Sequence, residues 1–186
     1  MSYLREDLKR YFGADDGIWQ KVKTVLQTQG IWAIIIYRGG SWCYNNKDRK
    51  IYARWLLFVF SVVEKAVEVV TGIQIPFSSK IGKGFYIGHF GGIIISPQAV
   101  LGAYCNISHG CTIGQSGRGG KQHVPVIGDR VYIAPGAKII GGIKIGNDVA
   151  IGANAVVTKD LPDNAVAVGV PAQIISYEGS KDFVII

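Results

Sequence analysis

The sequence predicts a mainly β chain: a parallel β-helix built of hexapeptide repeats, behind an N-terminal α-helical domain. The first observation is a period of six beyond Gly72. Aliphatic residues fall at Ile75, Ile81 and Ile87, then at Ile95, Leu101, Ile107 and Ile113, then at Ile127, Ile133, Ile139, Ile145, Ile151 and Val157. The second is the glycine that follows many of them, as at Gly82, Gly88, Gly102, Gly114, Gly128, Gly146 and Gly152. The third is the change of grammar at Gly72, before which apolar residues recur at helical spacing.

A period of six has a physical cause. Six residues make one flat side of a triangular coil, and three sides close a turn of about eighteen residues. The aliphatic residue points inward and stacks on its equivalent one turn away, about 4.8 Å along the axis. Small residues four places on, such as Ser79, Cys105, Cys111, Val131, Ala137, Val149 and Ala155, keep the tight interior free of clashes. One turn cannot bury its own apolar face, so stability comes from stacking.

Before Gly72, helices are expected near residues 3–12, 17–28, 30–37 and 50–71. Gly39-Gly40 and Asn45-Asn46 read as breaks, and Gly72 as a C-cap. Val22, Val25 and Leu26 form one stripe; Trp55, Phe58, Val62, Ala66 and Val69 form another. The apolar run 55–63 is half a membrane span, so it reads as a buried or interfacial helix, with peripheral membrane contact left open. Three units follow: a helical domain 1–72, a coil 73–174 with an extended loop 115–126, and a tail 175–186.

Composition narrows the function. Charged residues are 18% and apolar residues 48%, which excludes a disordered chain. The net charge of +7 suits a polyanionic partner such as a phosphorylated cofactor, whereas no basic stripe interleaved with aromatics points to nucleic acid. Cys43, Cys105 and Cys111 have no metal spacing and read as free thiols of a cytoplasmic protein, possible at the inner membrane face. No metal site is expected.

A regular repeat is scaffold, so its interruptions are candidate sites. One is His89-Phe90-Gly91-Gly92, where two extra residues separate Ile87 from Ile95. The other is the loop 115–126. All three histidines of the chain, His89, His109 and His123, lie at or beside these breaks. His89 and His109 each stand two residues past a core isoleucine, which predicts the same position on successive turns. Imidazole near neutral pH takes a proton from a hydroxyl, given an orienting partner. Backbone N–H groups at the glycine corners are candidate oxyanion donors, and Lys138, Lys144 and Lys159 are candidate phosphate partners.

The repeat resembles that of the hexapeptide acyltransferases, which implies a left-handed coil. Within that group the segments Ile81-Gly82-Lys83-Gly84, Ile87-Gly88-His89-Phe90-Gly91-Gly92, Ile133-Ala134-Pro135-Gly136-Ala137-Lys138 and Val168-Gly169-Val170-Pro171-Ala172 are similar to serine acetyltransferases and to related capsule or exopolysaccharide O-acetyltransferases. The resemblance implies acetyl-CoA as donor, His89 as general base, Asp15, Gln74 and His123 toward the acceptor, and Gly114, Ala134, Ala153 and Lys159 along the cofactor. His109 stands where serine enzymes carry Gln, and three roles stay open for it: partner to His89, acceptor ligand, or the base itself. The resemblance also implies a homotrimer with its site between neighbouring coils, pairing into a hexamer being open. The apolar ending Asp182-Phe183-Val184-Ile185-Ile186 is similar to one that docks a pathway partner, but local packing is the preferred reading.

Departures direct the choice of acceptor. Gln74 stands where the family has a carboxylate, Gly88 where it has Asp, and His123-Val124 where it has Arg-His. Several lost charges favour a neutral hydroxyl on a sugar or polysaccharide precursor over zwitterionic serine. Serine O-acetylation is the alternative, and a non-catalytic partner-binding coil the third reading.

Overall fold

The structure is a computed structural model and describes residues 2–116 and 123–185. Four helices lead: α1 (Ser2–Lys9), α2 (Ile18–Gln27), α3 (Gln29–Asn46) and α4 (Ile51–Thr71). Gly72 ends α4 with φ +67°, its N–H bonded to the Glu68 carbonyl, a left-handed cap that glycine adopts without strain.

The coil follows, one turn after another. Its first turn holds β1 (Ile73–Gln74), β2 (Lys80–Ile81) and β3 (Tyr86–Ile87). The second holds β4 (Ile93–Ile95), β5 (Val100–Leu101) and β6 (Asn106–Ile107). The third holds β7 (Thr112–Gly114), β8 (Val126–Ile127) and β9 (Tyr132–Ile133), and the fourth β10 (Lys138–Ile140), β11 (Lys144–Ile145) and β12 (Ala150–Ile151). The last holds β13 (Val156–Val157) and β14 (Val166–Val168), after which β15 (Gln173–Ser176) folds back antiparallel on β14.

Stacked turns make three sheets. Sheet I is β1-β4-β7-β10-β13, sheet II is β2-β5-β8-β11, and sheet III is β3-β6-β9-β12-β14-β15. All coil pairings are parallel, as in a left-handed β-helix. In sheet I, Gln74 pairs with Ile94, Ile94 with Thr112, Thr112 with Lys138 and Lys138 with Val156. The regular turn is therefore 18 residues, and the two longer ones, of 20 and 26, fall at the predicted breaks. Every predicted core position, Ile75 through Val157, is at most 5% exposed. Gly82, Gly102 and Gly128 stack at one edge so closely that a Cβ on Gly102 would lie 2.5 Å from the Gly128 carbonyl oxygen. The cysteines are free and buried, and burial pushes the Cys105 thiol up to about 12.

The helices depart from expectation in two ways. First, α3 runs unbroken through Gly39-Gly40. A Cβ at Gly40 would lie 2.2 Å from the Phe77 ring, and one at Gly39 2.4 Å from the Phe60 ring. These glycines permit close packing against the coil and α4; they do not end the helix. Second, the α4 stripe is not buried within the chain. Trp55 is 73% exposed and Phe58 68%. Among the described residues no helix is long and apolar enough to cross a membrane.

Polar contacts fasten the helices to the coil. Buried Asp7 accepts from Arg38 at 2.7 and 3.1 Å and from the Phe85 N–H at 2.9 Å. Arg38 also donates to the carbonyls of Ile81 and Gly82. Tyr37 donates to Ser79 and accepts from the Ile81 N–H. Beyond β15, residues 180–185 lie back along sheet III. Asn106 donates to the Phe183 carbonyl, the Phe183 ring stacks on Tyr132, and Val184 is 7% exposed.

Candidate active site

The edge between sheets III and I carries the first break. After β3 the chain turns through Gly88-His89-Phe90-Gly91-Gly92; after β6 it turns through Ser108-His109-Gly110. Because Ile87 pairs with Ile107, His89 and His109 take equivalent places on successive turns. Their ring centroids are 5.8 Å apart at 75°, edge to face, and both rings are exposed. The predicted pairing of these two histidines is what the fold produces.

Beside them runs a column without side chains. Gly92, Gly110 and Gly136 have φ of +65°, +71° and +77°, and a Cβ at Gly110 would lie 3.4 Å from the Gly136 Cα. The column opens space next to the imidazoles. The N–H groups of Gly110 and Gly136 are not free as oxyanion donors: Gly110 donates to Gly91 and Gly136 to His109, holding successive turns together. Lys138 is likewise engaged. Its ammonium donates to the Gly110 carbonyl and to Thr112 Oγ1, so it braces the edge rather than waiting for a phosphate.

The remaining candidates divide between two edges. Buried Ala134 and exposed Ala153 lie on the III–I edge, on the turns beyond His109. Gly114, Lys159 and His123 lie on the other edge of sheet I, where His123 packs against Gly142. Within one chain His123 therefore does not join the histidine pair. The loop that precedes it, Gly117-Arg118-Gly119-Gly120-Lys121, lies outside the described residues. Asp15 is exposed on the α1–α2 connection. Tyr11 anchors that connection to β3: its hydroxyl donates to the Ile87 carbonyl and accepts the Ile87 N–H at 2.8 Å. Burial raises the Tyr11 hydroxyl well above the ordinary range, so it remains a donor.

Gln74 faces outward from β1 and donates to Glu68 of α4 at 3.3 Å. Lys65 pairs with the same carboxylate at 2.7 Å. Burial, then repulsion from Glu68, raises the Glu64 carboxyl. Neither glutamate nor Tyr11 was expected from the sequence. The available signal was the six-residue spacing from Glu68 to Gln74 across a predicted C-cap.

Known proteins place this geometry. Residues 125–159 match the family model described as bacterial transferase hexapeptide (six repeats). The serine acetyltransferase of Helicobacter pylori strain J99 is 36% identical over 94% of this chain and 98% of its own length. The Neisseria gonorrhoeae serine acetyltransferase in complex with serine superposes with a TM-score of 0.73 at 32% identity, covering 94% of this chain and 68% of that one. The Brucella abortus enzyme in complex with coenzyme A gives 0.76 at 30%, covering 94% and 66%. These relatives overturn the sugar or polysaccharide acceptor favoured by counting lost charges at Gln74, Gly88 and Val124. That count compared positions one by one, whereas Gln74 binds the Glu68 carboxylate of α4, which keeps a negative charge beside position 74. The chain is an acyltransferase and belongs to the serine acetyltransferase family.

Proposed function

We propose that the protein transfers the acetyl group of acetyl-CoA to the hydroxyl of L-serine. The observation that carries this reading is the His89–His109 pair at the break of an otherwise regular coil, in a chain similar over 94% of its length to a serine acetyltransferase. His89 is the general base. Its ring nitrogen takes the hydroxyl proton as the serine oxygen bonds to the thioester carbon. Collapse of the tetrahedral intermediate breaks the C–S bond, and the imidazolium returns the proton to the departing sulfur. Serine leaves acetylated and coenzyme A leaves as the thiol. His109 lines the pocket as a second imidazole, and Asp15 lies on the acceptor side.

A trimer of coils accounts for the division of candidates between two edges. The III–I edge of one copy, with His89, His109, Ala134 and Ala153, would face the opposite edge of its neighbour, with Gly114, His123 and Lys159. Acetyl-CoA would lie extended between them. The outward apolar faces of α2 and α4 suit burial against further copies.

Coenzyme A release, followed with L-serine and with a panel of monosaccharides, tests the acceptor. Turnover is expected with L-serine and its loss in His89→Ala. Absence of serine turnover by the intact protein refutes the proposal.

A further inference from the structure

The outward face of α4 has no cover within the chain. Ile51, Trp55, Phe58, Val59, Val62 and Val69 recur along it at helical spacing, and all are exposed. The helix has 21 residues and is about 30 Å long. An apolar stripe of that length is more than a chain leaves in water without a use for it.

Positive charge gathers where the stripe begins. Residues 47–54 hold four cations, Lys47, Arg49, Lys50 and Arg54, and one acid, Asp48. Arg54 pairs with that acid at 3.4 Å, so Lys47, Arg49 and Lys50 are in excess. Aromatic rings join the cations to the stripe. Trp42 of α3 stacks on Tyr52 of α4 with ring centroids 6.4 Å apart, and the Lys50 ammonium lies 5.3 Å from the first ring and 5.7 Å from the second. Lys47 lies 4.1 Å from the Tyr44 ring. Farther along α4 the charge is balanced, with Lys65 paired to Glu68. Cations, then Trp and Tyr, then Phe and Val is the sequence of chemistries met from lipid phosphates inward.

The possible occupants answer different parts of this face. A further copy would cover the stripe but bring the same excess of cations to it. A nucleic acid would meet the cations and leave Phe58, Val59 and Val62 in water. An anionic bilayer meets both: phosphates for the cations, an interface for the indole and phenol rings, and hydrocarbon for the stripe.

We propose that the α3–α4 turn and the outward face of α4 form a docking surface for an anionic phospholipid bilayer. Lys47, Arg49 and Lys50 contact the lipid phosphates, and Trp55 and Phe58 enter the boundary between headgroups and acyl chains. The helix lies along the surface and does not cross it, in keeping with its length and hydropathy.

The full-length protein tests this with vesicles of phosphatidylglycerol and phosphatidylcholine in equal parts, and with vesicles of phosphatidylcholine alone, bound protein being measured by flotation. Each cation near an anionic surface contributes about fivefold, so the three should favour the mixed vesicles by about a hundredfold at low salt. Arg49→Gln with Lys50→Gln should lose about twenty-five-fold and flatten the salt dependence. Trp55→Ser should lose about tenfold at every salt concentration. All three side chains are exposed, so both variants should keep the parent Tm. Absence of binding to the mixed vesicles, equal binding to the two vesicle types, or binding unchanged in either variant overturns the inference. So does an assembly of two trimers in solution that Trp55→Ser separates, which would give the face to another copy. None of these outcomes depends on which hydroxyl is acetylated.

Discussion

Gly40→Ala sets helix propensity against packing, and the structure says which wins. In an open helix the change would stabilise by about 1 kcal/mol, because alanine loses less backbone entropy. Here the new methyl would meet three atoms of the Phe77 ring at 2.2, 2.3 and 2.5 Å. An ordinary carbon contact is about 3.6 Å, so the ring must retreat by about 1.4 Å. Phe77 is 7% exposed and belongs to the main core, so it has no free direction. Overpacking of this kind costs about 1–3 kcal/mol, and three simultaneous clashes put Gly40 at the upper end. The net expectation is about 2 kcal/mol of destabilisation, or roughly 4–8 °C in Tm for a chain of this size. Gly39→Ala is the internal control. Its methyl would meet the Phe60 ring, but Phe60 lines an 810 Å³ cavity between the helices and sheet II into which it can turn. That variant should be within about 0.5 kcal/mol of the parent. Thermal melts followed by circular dichroism measure both. A Gly40→Ala protein melting at or above the parent temperature refutes the reasoning, and Phe77→Leu should partly suppress its defect.

Arg38→Ala strands the Asp7 carboxylate, which is wholly buried, and should cost about 3–5 kcal/mol in urea unfolding; replacing both residues by Met and Leu should recover most of it. If His89 and His123 meet across copies, separately inactive His89→Ala and His123→Ala chains, unfolded together and refolded, should regain about a quarter of the parent activity, since random trimers pair two intact edges at that frequency; no recovery would place both residues in one chain's site. Glu64 binds its proton more readily folded than unfolded, because burial raises its carboxyl from an ordinary 4.5. Its contribution therefore falls as pH rises through that range, and Glu64→Gln should raise Tm more at pH 7 than at pH 4.5; an equal gain at both values would contradict the assignment.

The coil was legible because its signal is redundant. Each of Ile107, Ile133 and Ile151 repeats the same instruction, and a stacked core has no alternative use for a six-residue period. The breaks were legible for the same reason, and they delivered His89 and His109 side by side. The helical part was less so. Gly39-Gly40 reads as a breaker in isolation, and only the positions of Phe60 and Phe77, far along the chain, reveal its purpose. The outward face of α4 carries the same residues that a buried face would, so periodicity alone did not say which side it served. The acceptor was misjudged because charges were compared position by position. Glu68 reaches Gln74 through a helix cap, a route that no linear motif encodes.

The Arg10 side chain has a consequence for how the molecule comes apart. A solenoid held only by contacts between neighbouring turns tends to fray from its last turns, each opening with little regard for those beyond it. Here one guanidinium donates at 2.8 Å both to Gly84, in the first turn, and to Ile185, in the strap returning along sheet III. Ser180 in that strap also binds the Arg130 carbonyl near the middle of the stack. Early and late segments are thus cross-tied, so opening one end must release the other. Amide hydrogen exchange should therefore report one shared opening event along the coil, where an untied array would show a gradient of protection.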